Sequence, residues 1–183
     1  MTITLIGYRG TGKSRIGARL AERLGQPFVD ADVELVRRAG RSIADIFRDA
    51  GEAEFRRLEA ELLEELLDGS PRVVASGGGA VLDARTRERM RSAGPVIWLQ
   101  ADAPTILARL AADPASAGQR PALTGLPPEV EVRQLLAVRE PLYAQTATLE
   151  LPTADRDVES LVTEIIDRLG PDATAPDASE IRR

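Results

Sequence analysis

Residues 7–14 read GYRGTGKS, and the run before them, Thr2-Ile3-Thr4-Leu5-Ile6, is apolar or β-branched throughout. The octapeptide matches G-x-x-x-x-G-K-[ST] at every fixed position, in the strand–loop–helix setting that gives the motif its meaning. A buried strand over Ile3–Gly7 feeds the loop and a helix over Ser14–Leu24 leaves it. Gly7, Gly10 and Gly12 let the backbone curl so that successive N–H groups point at phosphate oxygens, with the positive end of the helix behind them. Lys13 is the only lysine among 24 basic residues; the other 23 are arginine. A compact ammonium on a flexible stem reaches β- and γ-phosphates where a planar guanidinium is a poorer fit. This lysine therefore marks a nucleoside triphosphate site.

The motif names the donor and leaves the acceptor open, because switches, motors and kinases all carry it. With 183 residues the chain suits one domain over 1–169, followed by a tail (170–183) poor in large apolar residues and expected to be disordered. It has no cysteine and no histidine, which excludes disulfides, thiolate catalysis, imidazole bases and Cys/His zinc sites. A net charge of −5 with few aromatics argues against a nucleic-acid surface. No apolar run approaches a membrane span, and the N-terminus enters the first strand without a basic leader, so a cytoplasmic protein is expected. A monomer is the default expectation.

Further along, strands are predicted at Phe28-Val29, Arg72–Ala75, Pro95–Leu99 and Thr148–Leu151. Helices are predicted from Asp30 through Arg38, over Ile43–Arg48 behind the cap Ser42, and over Gly51–Leu67. More follow over Asp83–Arg91, from Asp102 to near Asp113, over Glu129–Tyr143 and over Asp155–Leu169. Strands alternating with helices imply a parallel sheet covered on both faces. The stretch 113–128, rich in Pro, Gly, Ala and Ser, has the composition of a moving lid.

Four features bear on the acceptor. Asp30-Ala31-Asp32 follows the second strand at the carboxyl edge, where ligands bind in open α/β sheets. One carboxylate there can serve Mg²⁺ together with Ser14 while the other receives an acceptor hydroxyl; Asp30 is equally a common helix N-cap. Along Gly51–Leu67 the stripe Phe55, Leu58, Leu62, Leu66 faces the core, and the charges are read as solvated except Arg56, one position off the stripe, and Glu59. Gly77-Gly78-Gly79 closes the third strand and lets a ligand approach backbone N–H groups, while Arg120 and Arg139 flank the lid stretch.

Taken together, GYRGTGKS, FVDAD (Phe28–Asp32), GRSIADIF (Gly40–Phe47), GEAEFRRLE (Gly51–Glu59), SGGGAV (Ser76–Val81), QRP (Gln119–Pro121) and REPLY (Arg139–Tyr143) resemble the ordered motifs of the shikimate kinase family from Ile3 to about Leu169. The resemblance implies an α/β three-layer P-loop kinase fold of the nucleoside monophosphate kinase type, with a five-stranded parallel sheet and a mobile lid. It implies transfer of the ATP γ-phosphate to the 3-hydroxyl of shikimate, a step in chorismate and aromatic amino-acid biosynthesis.

By the same resemblance Asp32 contacts the shikimate hydroxyls, Arg56 and Arg139 hold its carboxylate, and Gly78, between Gly77 and Gly79, gives a backbone contact. Arg120 is the lid arginine that reaches the phosphates, Arg156 lies near the nucleotide, and Gly10, Thr11, Gly12, Lys13, Ser14 and Arg15 cradle it. Lys13, Asp32 and Arg120 are the expected catalytic residues, with Ser14 and Asp30 on Mg²⁺. Two departures stand out. The segment from Arg109 to Arg120 is long, and Arg15 stands where Thr or Ser is usual. Related rivals are small-molecule P-loop kinases for gluconate or a nucleoside monophosphate; a more distant one is an ATP-dependent regulatory domain.

Overall fold

Strand β1 (Thr2–Ile6) lies in the middle of a five-stranded parallel sheet of order β2-β3-β1-β4-β5, flanked by β3 (Arg72–Ala75) and β4 (Val96–Gln100). In this computed structural model the described residues are 1–112 and 126–170. The outer strands are β2 (Phe28–Asp30), with Asp30 opposite Ala75, and β5 (Leu149–Pro152), with Gln100 opposite Pro152. β1 is buried at every residue, as expected of a central strand with both faces covered. All five predicted strands are present, β3 with its predicted bounds and the others within a residue of theirs.

Helices cover both faces. On one, α1 (Lys13–Leu24) and α7 (Val158–Leu169) bury Ile16, Leu20, Leu161 and Ile165 against Leu5, Ile97 and Leu151. α1 comes especially close, because Gly17 has no β-carbon to hold it off Phe28 and Leu5. On the other face lie α2 (Ala31–Ala39), α3 (Ile43–Leu66), α4 (Ala84–Ala93) and α6 (Pro128–Thr146), whose core includes Leu35, Ile46, Leu62, Met90 and Tyr143. α5 (Ala103–Ala112) meets α6 through Ile106, Val132 and Leu136, with Tyr8 in the same cluster. This is the three-layer α/β architecture that the alternation of strands and helices predicts.

Two boundaries differ instructively. The predicted pair of helices Ile43–Arg48 and Gly51–Leu67 is one run, α3, broken in backbone conformation at Gly51 (φ 80°, ψ 174°); Ser42 caps its start by accepting from the Asp45 N–H. The last helix begins at Val158 rather than Asp155. Asp155 sits in the left-handed region (φ 54°), and Asp157 supplies the cap through the Ser160 N–H at 2.9 Å. The predicted lid (113–128) and tail (170–183) fall almost wholly outside the described residues. Among the described residues no helix is long and apolar enough to cross a membrane.

Candidate active site

β1 delivers the chain into Gly7 at a φ of +136°, where a β-carbon would run into the carbonyl oxygen of Leu99. Only glycine makes that turn without displacing β4. The loop then closes on itself, the Thr11 hydroxyl donating to the Tyr8 carbonyl at 2.8 Å, and α1 starts at Lys13. Lys13 is nearly buried, and its Nζ donates to the carbonyls of Gly7 (2.8 Å) and Tyr8 (2.9 Å). An ammonium so placed is satisfied by the loop itself and is poised to trade carbonyls for phosphate oxygens. Ser14 and Arg15 occupy the exposed first turn of α1, next to Gly10, Thr11 and Gly12.

Asp30 is the predicted helix N-cap through one oxygen and meets Ser14 through the other. Oδ1 accepts from the N–H groups of Asp32 and Val33 and caps α2, while Oδ2 accepts from the Ser14 hydroxyl at 2.5 Å. A hydroxyl and a carboxylate joined at the mouth of a phosphate loop suit a hard divalent cation. Among the described residues no group of three or more acidic side chains forms a metal cage.

Beside the loop opens a cleft. Every residue predicted to hold the acceptor lines it: Asp32, Arg56, Gly77, Gly78, Gly79 and Arg139. Its apolar wall is Ile43, Phe47 and Phe55, the two phenyl rings stacked at 4.8 Å across the α3 break. The glycines bring the loop close to charged side-chain ends. A β-carbon on Gly77 would overlap Glu59 Oε1, and one on Gly79 would lie 2.5 Å from Arg56 Nη2. Arg139 belongs to the buried stripe Val132, Leu136, Arg139, Tyr143, Thr146 of α6, so helical spacing drives its guanidinium inward. One turn later the buried Tyr143 hydroxyl donates to the Gly78 carbonyl at 2.5 Å and fixes the glycine loop.

The electrostatics of the cleft are those of an anion site. Arg56 Nη1 donates to Glu59 Oε2 at 2.6 Å, and its Nη2 to Glu52 Oε1 at 3.1 Å. Glu59 is buried and its carboxyl is pushed up from the ordinary 4.5 by desolvation, with Arg56 opposing. Burial likewise raises the Tyr8 and Tyr143 phenols. Three buried polar atoms here have no hydrogen-bond partner: Glu59 Oε1, Arg9 Nε and Arg139 Nε. Buried unpaired groups are costly, and two of these are guanidinium donors at the cleft.

Arg120 falls outside the described residues. Arg156 is held by Glu164 of α7 at 2.6 Å. Arg109 donates to the Gly10 carbonyl (3.3 Å) and to the Thr153 hydroxyl and carbonyl (2.9 and 2.7 Å), tying the phosphate loop to the segment after β5. Reading the sequence missed Tyr8 and Arg9 as cleft residues, and stopped short of placing Glu59 there. The signal for Glu59 was present: it stands four residues after Phe55 and three before Leu62, a carboxylate inside an apolar stripe.

A family model described as shikimate kinase matches residues 9–170. A shikimate kinase of Symbiobacterium thermophilum is 44% identical over 169 residues, covering 92% of this chain and 96% of that protein. Among solved structures, the shikimate kinase from Acinetobacter baumannii in complex with shikimate superposes with a TM-score of 0.82 at 36% identity, covering 90% of this chain and 89% of that one. A gluconokinase from Sinorhizobium meliloti 1021, at 19% identity and a TM-score of 0.55 over 92% of this chain and 90% of its own, shares the fold alone.

Proposed function

The chain belongs to the shikimate kinase family, and we propose on that premise that it transfers the γ-phosphate of ATP to the 3-hydroxyl of shikimate, giving shikimate 3-phosphate and ADP. The observation that carries the reading is the convergence of two guanidinium groups, Arg56 and Arg139, with Asp32 and the Gly77–Gly79 backbone on one cleft beside the phosphate loop.

Phosphoryl transfer asks the protein mainly for alignment and charge neutralisation. Arg56 and Arg139 grip the acceptor carboxylate, Gly78 offers its N–H, and Asp32 orients the attacking hydroxyl. Lys13 exchanges the Gly7 and Tyr8 carbonyls for the β- and γ-phosphates, with the N–H groups from Gly10 to Arg15 around them. Ser14 and Asp30 would hold Mg²⁺, which when bound would neutralise charge on the phosphates. Arg120, from a lid at 113–128, completes the charge on the transferring group; losing such an arginine costs on the order of 10³ in turnover. Arg156, released from Glu164, is the outermost nucleotide contact. We further infer a single domain over residues 1–169, acting in the cytoplasm as a monomer. In support of the last, Val33 and Val138, the most exposed large apolar side chains among the described residues, sit on different elements, α2 and α6.

The test is coupled ADP release with shikimate, gluconate or a nucleoside monophosphate as acceptor. Release that requires shikimate supports the reading, and equal or greater release with either of the others overturns it.

A further inference from the structure

Arg9 is part of the phosphate loop by backbone and part of the acceptor cleft by side chain. Resting on the reading of the acceptor above, we propose that Arg9 is an acceptor-binding residue, a third guanidinium at the carboxylate end of the cleft. Three observations converge. First, the guanidinium carbons of Arg9 and Arg139 lie 6.0 and 5.6 Å from the centre of the same Tyr8 ring. Second, a β-carbon built on Gly78 would lie 3.5 Å from the Arg9 backbone nitrogen and 3.7 Å from Arg139 Nη1, so Arg9 by its backbone and Arg139 by its guanidinium both border that glycine. Third, Nε of each is buried without a hydrogen-bond partner, a cost that an anionic oxygen in the cleft removes.

The competing account makes Arg9 a counter-charge for Glu131, a carboxylate in the first turn of α6 that is almost fully buried. The pair exists, Arg9 Nη2 to Glu131 Oε1, but at 3.4 Å it is longer than the roughly 2.7–2.9 Å of a well-formed charge-assisted bond. It uses one of the five donors that a guanidinium carries, and Nε stays unpaired. Glu131 therefore orients Arg9 without consuming it.

The experiment compares steady-state kinetics and melting temperature of the wild type, Arg9→Met, Glu131→Gln and the double variant, with shikimate and ATP varied separately. Arg9→Met is expected to raise KM for shikimate about tenfold, equivalent to about 1.4 kcal/mol, with kcat and KM for ATP within about twofold. The double variant keeps that penalty. If Arg9 served only Glu131, any rise in KM from Arg9→Met would vanish in the double variant, and Arg9→Met would lower the melting temperature; that result overturns the proposal. So does an unchanged KM for shikimate, or an equal rise for ATP, which would assign Arg9 to the nucleotide. Should Arg9→Met fail to fold, Arg9→Lys keeps the charge and loses the planar fork, and about a threefold rise is expected of it, with no rise counting against. A wild type inert toward shikimate defeats the acceptor reading and this proposal together, whereas an active wild type with an unaffected Arg9→Met defeats this proposal alone.

Discussion

Arg56 is shared between Glu52, which is more than half exposed, and Glu59, which is buried, so its guanidinium is neutralised on one side and open to the cleft on the other. An acceptor carboxylate in that opening gains charge-assisted hydrogen bonds worth about 1.5–3 kcal/mol. Arg56→Ala is accordingly expected to raise KM for shikimate roughly 10- to 100-fold and to leave KM for ATP nearly unchanged. Equal effects on the two constants would remove Arg56 from the acceptor site. Glu59 carries a pH consequence. Its folded pKa is raised by burial, so the stability it contributes is fully present below the ordinary 4.5 and is lost as pH rises through the folded value. Glu59→Gln has no such loss. Its melting temperature relative to wild type should move upward as pH is raised from about 4.5 toward 8, as read by calorimetry across that range. A difference that stays flat with pH, or moves the other way, contradicts a raised Glu59.

Elements explain which parts of the site were legible from sequence. Lys13, Ser14, Asp32 and the three glycines lie in the loops or first helical turns that follow β1, β2 and β3, at the carboxyl edge where open sheets bind ligands, so motif and position agree. Arg139 and Glu59 sit within helix stripes, and a charged residue at an apolar position reads as inward only once the helix is known to pack. Tyr8 and Arg9 fill variable positions of the loop motif, where spacing carries no information about side-chain direction. The start of α7 was misread because an aspartate serves equally as a helix N-cap and as a left-handed turn residue; Asp155 takes the second role and Asp157 the first. Packing of α1 on the sheet makes a prediction at this scale. Gly17→Ala would place a methyl 2.5 Å from Phe28 Cε2 and 3.0 Å from Leu5 Cδ1. Overpacking of this kind costs about 1–3 kcal/mol, against about 1 kcal/mol returned by better helix propensity. A net loss on the order of 1 kcal/mol, and a melting temperature lower by a few degrees, is expected of a domain this size. A variant as stable as wild type would mean that α1 can shift outward at no cost.

The molecule as a whole is acidic, with a net charge of −5, yet it gathers Arg9, Arg56, Arg139 and Lys13 around the end of β1. Strand order places this concentration where the chain crosses from β3 to β4 past β1, the switch point at which open α/β sheets bind ligands. Donor loop and acceptor cleft are thus built from the same few residues, Gly7 to Arg9 facing Gly78 across van der Waals distance. Phosphate should pass directly between the two ligands. Phosphorus NMR of the wild-type protein with Mg²⁺, ATP and shikimate measures this: one phosphate monoester on shikimate is expected for each ADP formed, with little inorganic phosphate. ADP accompanied by an equal amount of inorganic phosphate, whether or not shikimate is present, would show that the two sites are not coupled and would contradict the account.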